Sequence, residues 1–273
     1  MVIDFHTHIF PDKIAQKTIN ILEEEGKLDN VVAYTDGTIE GLKKSMADAK
    51  IDLSVVQPVV TIPRQFDSVN RFAKDINDNE EHVISFGGIH PLNENLDEKL
   101  VYLKESGFKG IKIHPDYQET FFTDENYFKI LVKCYELGLY VITHSGVDPA
   151  YKEVHCTPEM GREVLDRLYE KTHFTKPFII FAHIGGSRMF DDVEKYLVGT
   201  NCYIDISYAL EFCNKEQFNR IIKNHGVDKI IFATDSPWKD QKEYLNYIIS
   251  NLELSNNEIK MILGDNAKRL LSL

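Results

Sequence analysis

The chain has 273 residues, 43% of them hydrophobic and 27% charged, the balance of a globular protein with a sizeable core. Its net charge of −12 argues against a surface that tracks nucleic-acid phosphates. No apolar run reaches the roughly 18 residues that a membrane span needs.

Short β-branched runs alternate with segments of helical period along the whole chain. Val2–His6 reads as a first strand, followed by helical patterns over Lys13–Glu25 and Thr38–Lys50. Leu53–Val60 and Val83–His90 read as strands with the helix Val69–Asn79 between them, and Asp97–Ser106 reads as the helix that follows. Phe108–His114 then precedes the helix Glu125–Leu137, and Leu139–Ser145 precedes Pro158–Lys171. The last three strands are Phe178–His183, Cys202–Ser207 and Lys229–Asp235, with helices at Asp191–Leu197, Lys215–Asn224 and Gln241–Leu252. Thr157-Pro158 and Thr123 before Asp124-Glu125 mark helix starts, and Gly107 and Gly138 mark helix ends. The near-continuous apolar strands point to a parallel sheet covered on both faces. Eight βα units without a linker predict a single-domain α/β (β/α)8 TIM barrel spanning 1–273. A doubly wound open sheet is the alternative, but neither GxGxxG nor GxxxxGK follows the first strand or occurs elsewhere.

Cys134, Cys156, Cys202 and Cys213 lack CxxC spacing and read as free, partly buried thiols. With no basic and apolar leader ahead of the first strand, the expected compartment is the cytoplasm.

His6 and His8 stand one residue apart at the end of that strand. Side chains alternate along a strand, so both face the same way with Cα atoms about 6.6 Å apart, within reach of one ion. The other strand ends carry the same residue types: His90 in GGIHP, Lys112 and His114 in GIKIHP, His144 in ITHSG, His183 in FAHIGG and Asp235 in FATDSP. In a barrel these positions form one ring at the carboxyl ends of the strands, where functional side chains gather. Imidazoles with one carboxylate suit Zn2+ with a coordination position left for water. Plainer roles stand beside these. Asp235 could begin a helix with Ser236 as its cap and Pro237 in its first turn. His90 and His114, each before a proline, could be structural, and Lys112 could be an interior cation. His82, His173 and His225 sit in polar surroundings and are expected to be exposed. Arg64, Tyr151 and Arg188, on loops after strands, are candidate substrate contacts together with Lys112 and His114.

DFHTHIFP, GIKIHP, THSG, AHIGG, ATDSPW and GDNAKRLL, in this order, resemble the amidohydrolase superfamily, in particular its amidohydrolase 2 branch. The resemblance implies a distorted TIM barrel binding one or two divalent metals, most often zinc. It matches His6, His8, His144 and Asp235 to the metal ligands, with Asp235 also accepting a proton from the nucleophilic water. His183 matches a strand-six histidine that serves catalysis or binds a second metal, and Lys112 matches a lysine that some members carboxylate to bridge two ions. One ion is expected here, because Lys112 as an ammonium would repel a second. The activity implied is hydrolysis of a small amide, lactone or ester, with non-oxidative decarboxylation of an aromatic or unsaturated acid as the alternative. Two turns also resemble TatD-related nucleases, but Lys112 stands where those carry a glutamate. The expected partner is a small-molecule substrate, with no nucleic acid and no membrane. A homo-oligomer is left open.

Overall fold

The computed structural model describes residues 1–208 and 211–273. Among the described residues nine strand segments run in parallel: β1 (Ile3–Thr7), β2 (Leu53–Val56), β3 (Val83–Ser85), β4 (Gly87–Gly88), β5 (Gly110–Ile113), β6 (Tyr140–Thr143), β7 (Ile179–Phe181), β8 (Tyr203–Asp205) and β9 (Ile230–Ile231). β1-β2-β3 and β4 through β9 pair in sequence order. Two seams join these sheets into one barrel. At the first, the expected third strand is interrupted only at Phe86, whose N–H donates to Val56 O at 2.9 Å. At the second, the chain beyond β9 runs along β1: Phe5 N donates to Phe232 O at 3.0 Å and Asp235 N to His6 O at 2.8 Å. The chain forms a (β/α)8 TIM barrel.

The helices cover the outside. They are α1 (Asp12–Glu25), α2 (Ile39–Ala49), α3 (Phe66–Asn79), α4 (Leu96–Glu105), α5 (Glu125–Leu137), α6 (Pro158–Thr172), α7 (Phe190–Asp192, continued by a wide turn to Leu197), α8 (Lys215–His225), α9 (Gln241–Asn251), α10 (Asn256–Lys260) and α11 (Asn266–Leu271). The start of α6 follows from its sequence: Thr157 Oγ1 accepts from Met160 N, and Pro158 occupies the first helical turn. For α5 the cap is Asp124, accepting from Asn126 N, and Gly138 ends the helix at φ +64°. The helices α10 and α11 lie beyond the last expected helix, and the GDNAKRLL segment runs from the turn before α11 through α11.

Two apolar layers follow from the alternation along the strands. Ile3, Phe5, Val55, Phe86, Ile142 and Ile231 fill the barrel interior and pack against Ala267, Leu270 and Leu271 of α11. Each such fully buried side chain contributes about 1.5–3 kcal/mol. Gly264 lies just before α11, where a Cβ would sit 2.1 Å from Met1 O. The close approach seats α11 under the amino-terminal end of the barrel. Ile111, Ile113, Val141, Ile179 and Ile204 belong to the larger cluster between strands and helices. With the lower interior filled, functional groups can gather only at the other end. All four cysteines are free and buried.

Candidate metal centre

His6 Nε2, His8 Nε2 and Asp235 Oδ1 converge where the second seam opens. His6 Nε2 is 3.1 Å from His8 Nε2, His8 Nε2 is 3.1 Å from Asp235 Oδ1, and His6 Nε2 is 3.5 Å from Asp235 Oδ1. Two donors each about 2.1 Å from one ion stand about 3.0 Å apart at octahedral angles and about 3.4 Å apart at tetrahedral ones. The three edges have that size, so the donor set fits a single divalent ion. Asp235 is held at φ +71°, in the left-handed region that a side chain rarely adopts. Its N–H bond to His6 O keeps it against β1 in that conformation. No helix starts at Ser236: the next one is α9, capped by Asp240, which accepts from Glu243 N. The reading of Asp235 as a helix start is therefore overturned by the barrel seam, which claims Ser236 as a bridge partner of Thr7.

His6 is supported from behind. Asp205 Oδ2 lies 2.9 Å from His6 Nδ1, and both side chains are buried. The other oxygen, Asp205 Oδ1, accepts from Ser207 Oγ at 2.6 Å, Ser207 N at 3.0 Å and His183 N at 3.0 Å. Burial, and then the charge of Lys112, push His6 well below its ordinary pKa, which favours the neutral ring that binds metal. Lys112 Nζ stands 3.0 Å from His6 Nε2. Burial lowers the Lys112 ammonium to about 8 against the opposing pull of Asp235, Asp205 and Asp148. Burial raises the Asp235 carboxyl, but His6 and His8 outweigh it and hold the group below the ordinary carboxylate value.

A second group adjoins the first. His183 Nε2 is 3.1 Å from His144 Nδ1, and His183 Nδ1 is 3.0 Å from Ser207 Oγ. His183 too has a left-handed backbone, at φ +60°. The His144 ring stacks on His114 at 4.2 Å with an interplanar angle of 12°, and His114 Nε2 lies 3.4 Å from Asp148 Oδ2. Stacked rings direct their in-plane lone pairs nearly parallel, so His114, His144 and Asp148 converge on an ion less well than the first set. Thus His6, His8 and Asp235 share one tight donor group, whereas His144 lies outside it and adjoins His183. Gly146 of the THSG motif is required by close approach: its φ is +86°, and a Cβ would meet Ser187 N at 2.1 Å.

These groups open into a cavity of about 480 Å³, also lined by Tyr117, Val147, Arg188, Tyr208 and Trp238. Of the expected substrate contacts, Lys112, His114 and Arg188 line it. Arg188 Nη2 pairs with Asp29 Oδ1 at 3.1 Å, and its guanidinium lies 4.0 Å from the Phe212 ring centroid. Tyr151 stands behind Tyr117 at 5.3 Å between ring centroids, and exposed Arg64 lies off the cavity wall. His90 is tied down locally, Nδ1 accepting from Leu92 N at 3.1 Å. His82 and His173 are exposed as expected, but His225 is buried on the inner face of α8. Asp205, Ser207 and Asp148 are contributors that the motifs did not single out, as is Asp116, whose Oδ2 lies 3.6 Å from His144 Nε2. The strand-end rule could have found Asp205, because Cys202–Ser207 was the one late strand from which no candidate had been taken.

The family described as Amidohydrolase, in its amidohydrolase 2 form, matches residues 3–273. No curated protein matches the chain. Among solved structures, an uncharacterised TIM-barrel protein from Bordetella bronchiseptica is 15% identical, with a TM-score of 0.74 over 99% of this chain and 98% of that one. A 5-carboxyvanillate decarboxylase from Sphingomonas paucimobilis is 14% identical, with a TM-score of 0.71 over 100% and 99%. A dihydroxybenzoic acid decarboxylase from Polaromonas with bound manganese is 15% identical, with a TM-score of 0.69 over 100% and 97%. At such identities the likeness concerns the fold.

Proposed function

The chain belongs to the amidohydrolase 2 family, and from that membership we propose that it is a metal-dependent hydrolase of a small amide, lactone or ester. The observation that carries this reading is the donor triangle of His6, His8 and Asp235, with edges of 3.1 to 3.5 Å. His144 is the fourth donor proposed, and Lys112 and His183 would hold a second ion if one binds. A divalent ion here, Zn2+ by its nitrogen and oxygen donors and Mn2+ as the second choice, would supply an acidified water and polarise a carbonyl.

The remaining work falls to side chains. Asp235, kept ionised by His6 and His8, takes the proton of the attacking water and returns it to the leaving nitrogen or oxygen. Lys112 Nζ and His183 Nε2 face the negative charge that grows on the carbonyl oxygen. Ser207 holds the His183 ring through Nδ1, and Asp205 holds both His6 and the His183 backbone.

Decarboxylation is the second reading, favoured by the decarboxylases among the structural neighbours and by Lys112 and Arg188 on the cavity wall. In that reaction the carbon–carboxyl bond breaks, carbon dioxide leaves, and the electron pair left on carbon takes a proton that Asp235 or His183 would first have to acquire from solvent. Labelled water decides between them. A panel of lactones, amides, esters and aromatic acids is turned over in water enriched in heavy oxygen. Label in the organic product supports hydrolysis. Carbon dioxide release with no label in the product would replace it by the second reading.

A further inference from the structure

The cavity has two chemically different walls. Every residue lining it between Ile9 and Phe72 is uncharged, whereas the charged lining groups Lys112, Asp148, Arg188 and Asp235 come from later in the chain, Arg188 already paired with Asp29. The uncharged wall is built from α1, the segment after it, the turn after β2, and α3. Leu22, Val31, Val59 and Val69 on this wall are half-buried, and among the described residues none of them packs into either apolar core cluster. Half-exposed apolar side chains beside a polar site contribute little to the fold and mark a place where a ligand's own apolar surface is removed from water. A volume of about 480 Å³ leaves room for more than the reacting carbonyl.

We propose that the substrate is an acyl derivative with an uncharged hydrocarbon chain. That chain lies between α1 and α3, against Leu22, Val31, Val59 and Val69, while its carbonyl reaches the donors of His6, His8 and Asp235. The assignment rests on the metal-dependent reading of that site and adds the class of substrate to it. None of the lining residues from Ile9 to Phe72 is charged, and Arg188 nearby is already paired with Asp29, so anionic or cationic substituents on the chain are disfavoured by desolvation. Each methylene taken from water onto this wall tightens binding by roughly two- to fourfold.

The test is calorimetry on the metal-loaded protein with two homologous series: hydroxamates from acetohydroxamate to octanohydroxamate, whose head binds metal, and alkanols from ethanol to octanol, whose head does not. The expected result is an affinity that climbs with chain length in both series. In Val69→Asp, and in the milder Val69→Ser and Leu22→Ser, the climb should flatten while acetohydroxamate binds within about twofold of the wild type. A flat hydroxamate series in the wild type overturns the acyl assignment and leaves the metal reading standing. A climb in both series, with hydroxamates no tighter than alkanols, overturns the metal reading and keeps the hydrocarbon wall. A wall that instead covers a second copy of this chain would show as a dimer that Val69→Asp splits without changing either series, and that result overturns the proposal.

Discussion

The 2.9 Å contact between Asp205 Oδ2 and His6 Nδ1 fixes which nitrogen of His6 is free to bind an ion. A carboxylate at Nδ1 takes the ring proton there and leaves the Nε2 lone pair directed at His8 and Asp235. Asp205→Asn should lower metal affinity by about 10- to 100-fold, the usual scale for losing such a support. The fold should persist, because the amide oxygen can still accept from Ser207 and His183. Chelator competition measures the effect, and an unchanged affinity would show that Asp205 does not orient His6.

Replacing His6 and His8 together by alanine should abolish metal binding, since it removes two corners of the donor triangle. Stoichiometric metal in the double variant would move the site elsewhere. In the wild type, one ion per chain is expected while Lys112 is an ammonium 3.0 Å from His6 Nε2. Two ions accompanied by a carbamate on Lys112 would reverse that expectation, and metal analysis with and without bicarbonate distinguishes the cases.

Asp235→Asn keeps an oxygen donor but loses the base. Turnover should drop by about 10²-fold or more while much of the bound metal remains. His183→Gln should be comparably damaging. Full activity in Asp235→Asn, measured on whichever ester or lactone proves active, would remove Asp235 from proton transfer.

His225 supplies a pH dependence remote from the centre. Its Nε2–H donates to Cys202 O at 2.9 Å, and its Nδ1 accepts from Gly199 N at 3.3 Å. Burial, reinforced by Lys229, lowers it from 6.5 to about 4. A base depressed in the folded state adds stability that is whole above pH 6.5 and disappears as pH falls through about 4. The contribution at stake is about 3 kcal/mol. Denaturant midpoints followed from pH 7 downward should therefore fall less steeply in His225→Gln than in the wild type. Parallel curves would mean that His225 does not carry this term of the acid response.

His6, His8, Lys112, His144, His183 and Asp235 were legible because a parallel strand advertises its carboxyl end by where its apolar run stops. The barrel was legible for the same reason, from eight such runs. Asp148 was not, since a single acidic residue after a strand looks the same whether it faces solvent or an imidazole; Asp205, at the end of β8, was within reach of the same rule but was not taken. His225 was misread from its neighbours Asn224 and Gly226. The spacing Phe218, Ile221, Ile222, His225 is one helical face, and it buries the ring with those three. Arg64 followed a strand closely enough to suggest the cavity, yet the turn after β2 presents Thr61 and Gln65 there instead. Only tertiary packing decides such a choice.

The barrel's second seam makes metal capture a late event in the life of each chain. His6 lies in β1 and His8 just beyond it, whereas Asp235 follows β9. Asp4 Oδ2, which accepts from Gln241 Nε2 at 2.7 Å, fastens the same two ends together. During synthesis the histidines emerge well before Asp235, so the complete donor triangle cannot exist until every strand between them has also been made. An ion bound there would then work as a clasp between β1 and the segment after β9, and its release would leave that seam to the backbone bonds of Phe5 and Asp235 and to Asp4.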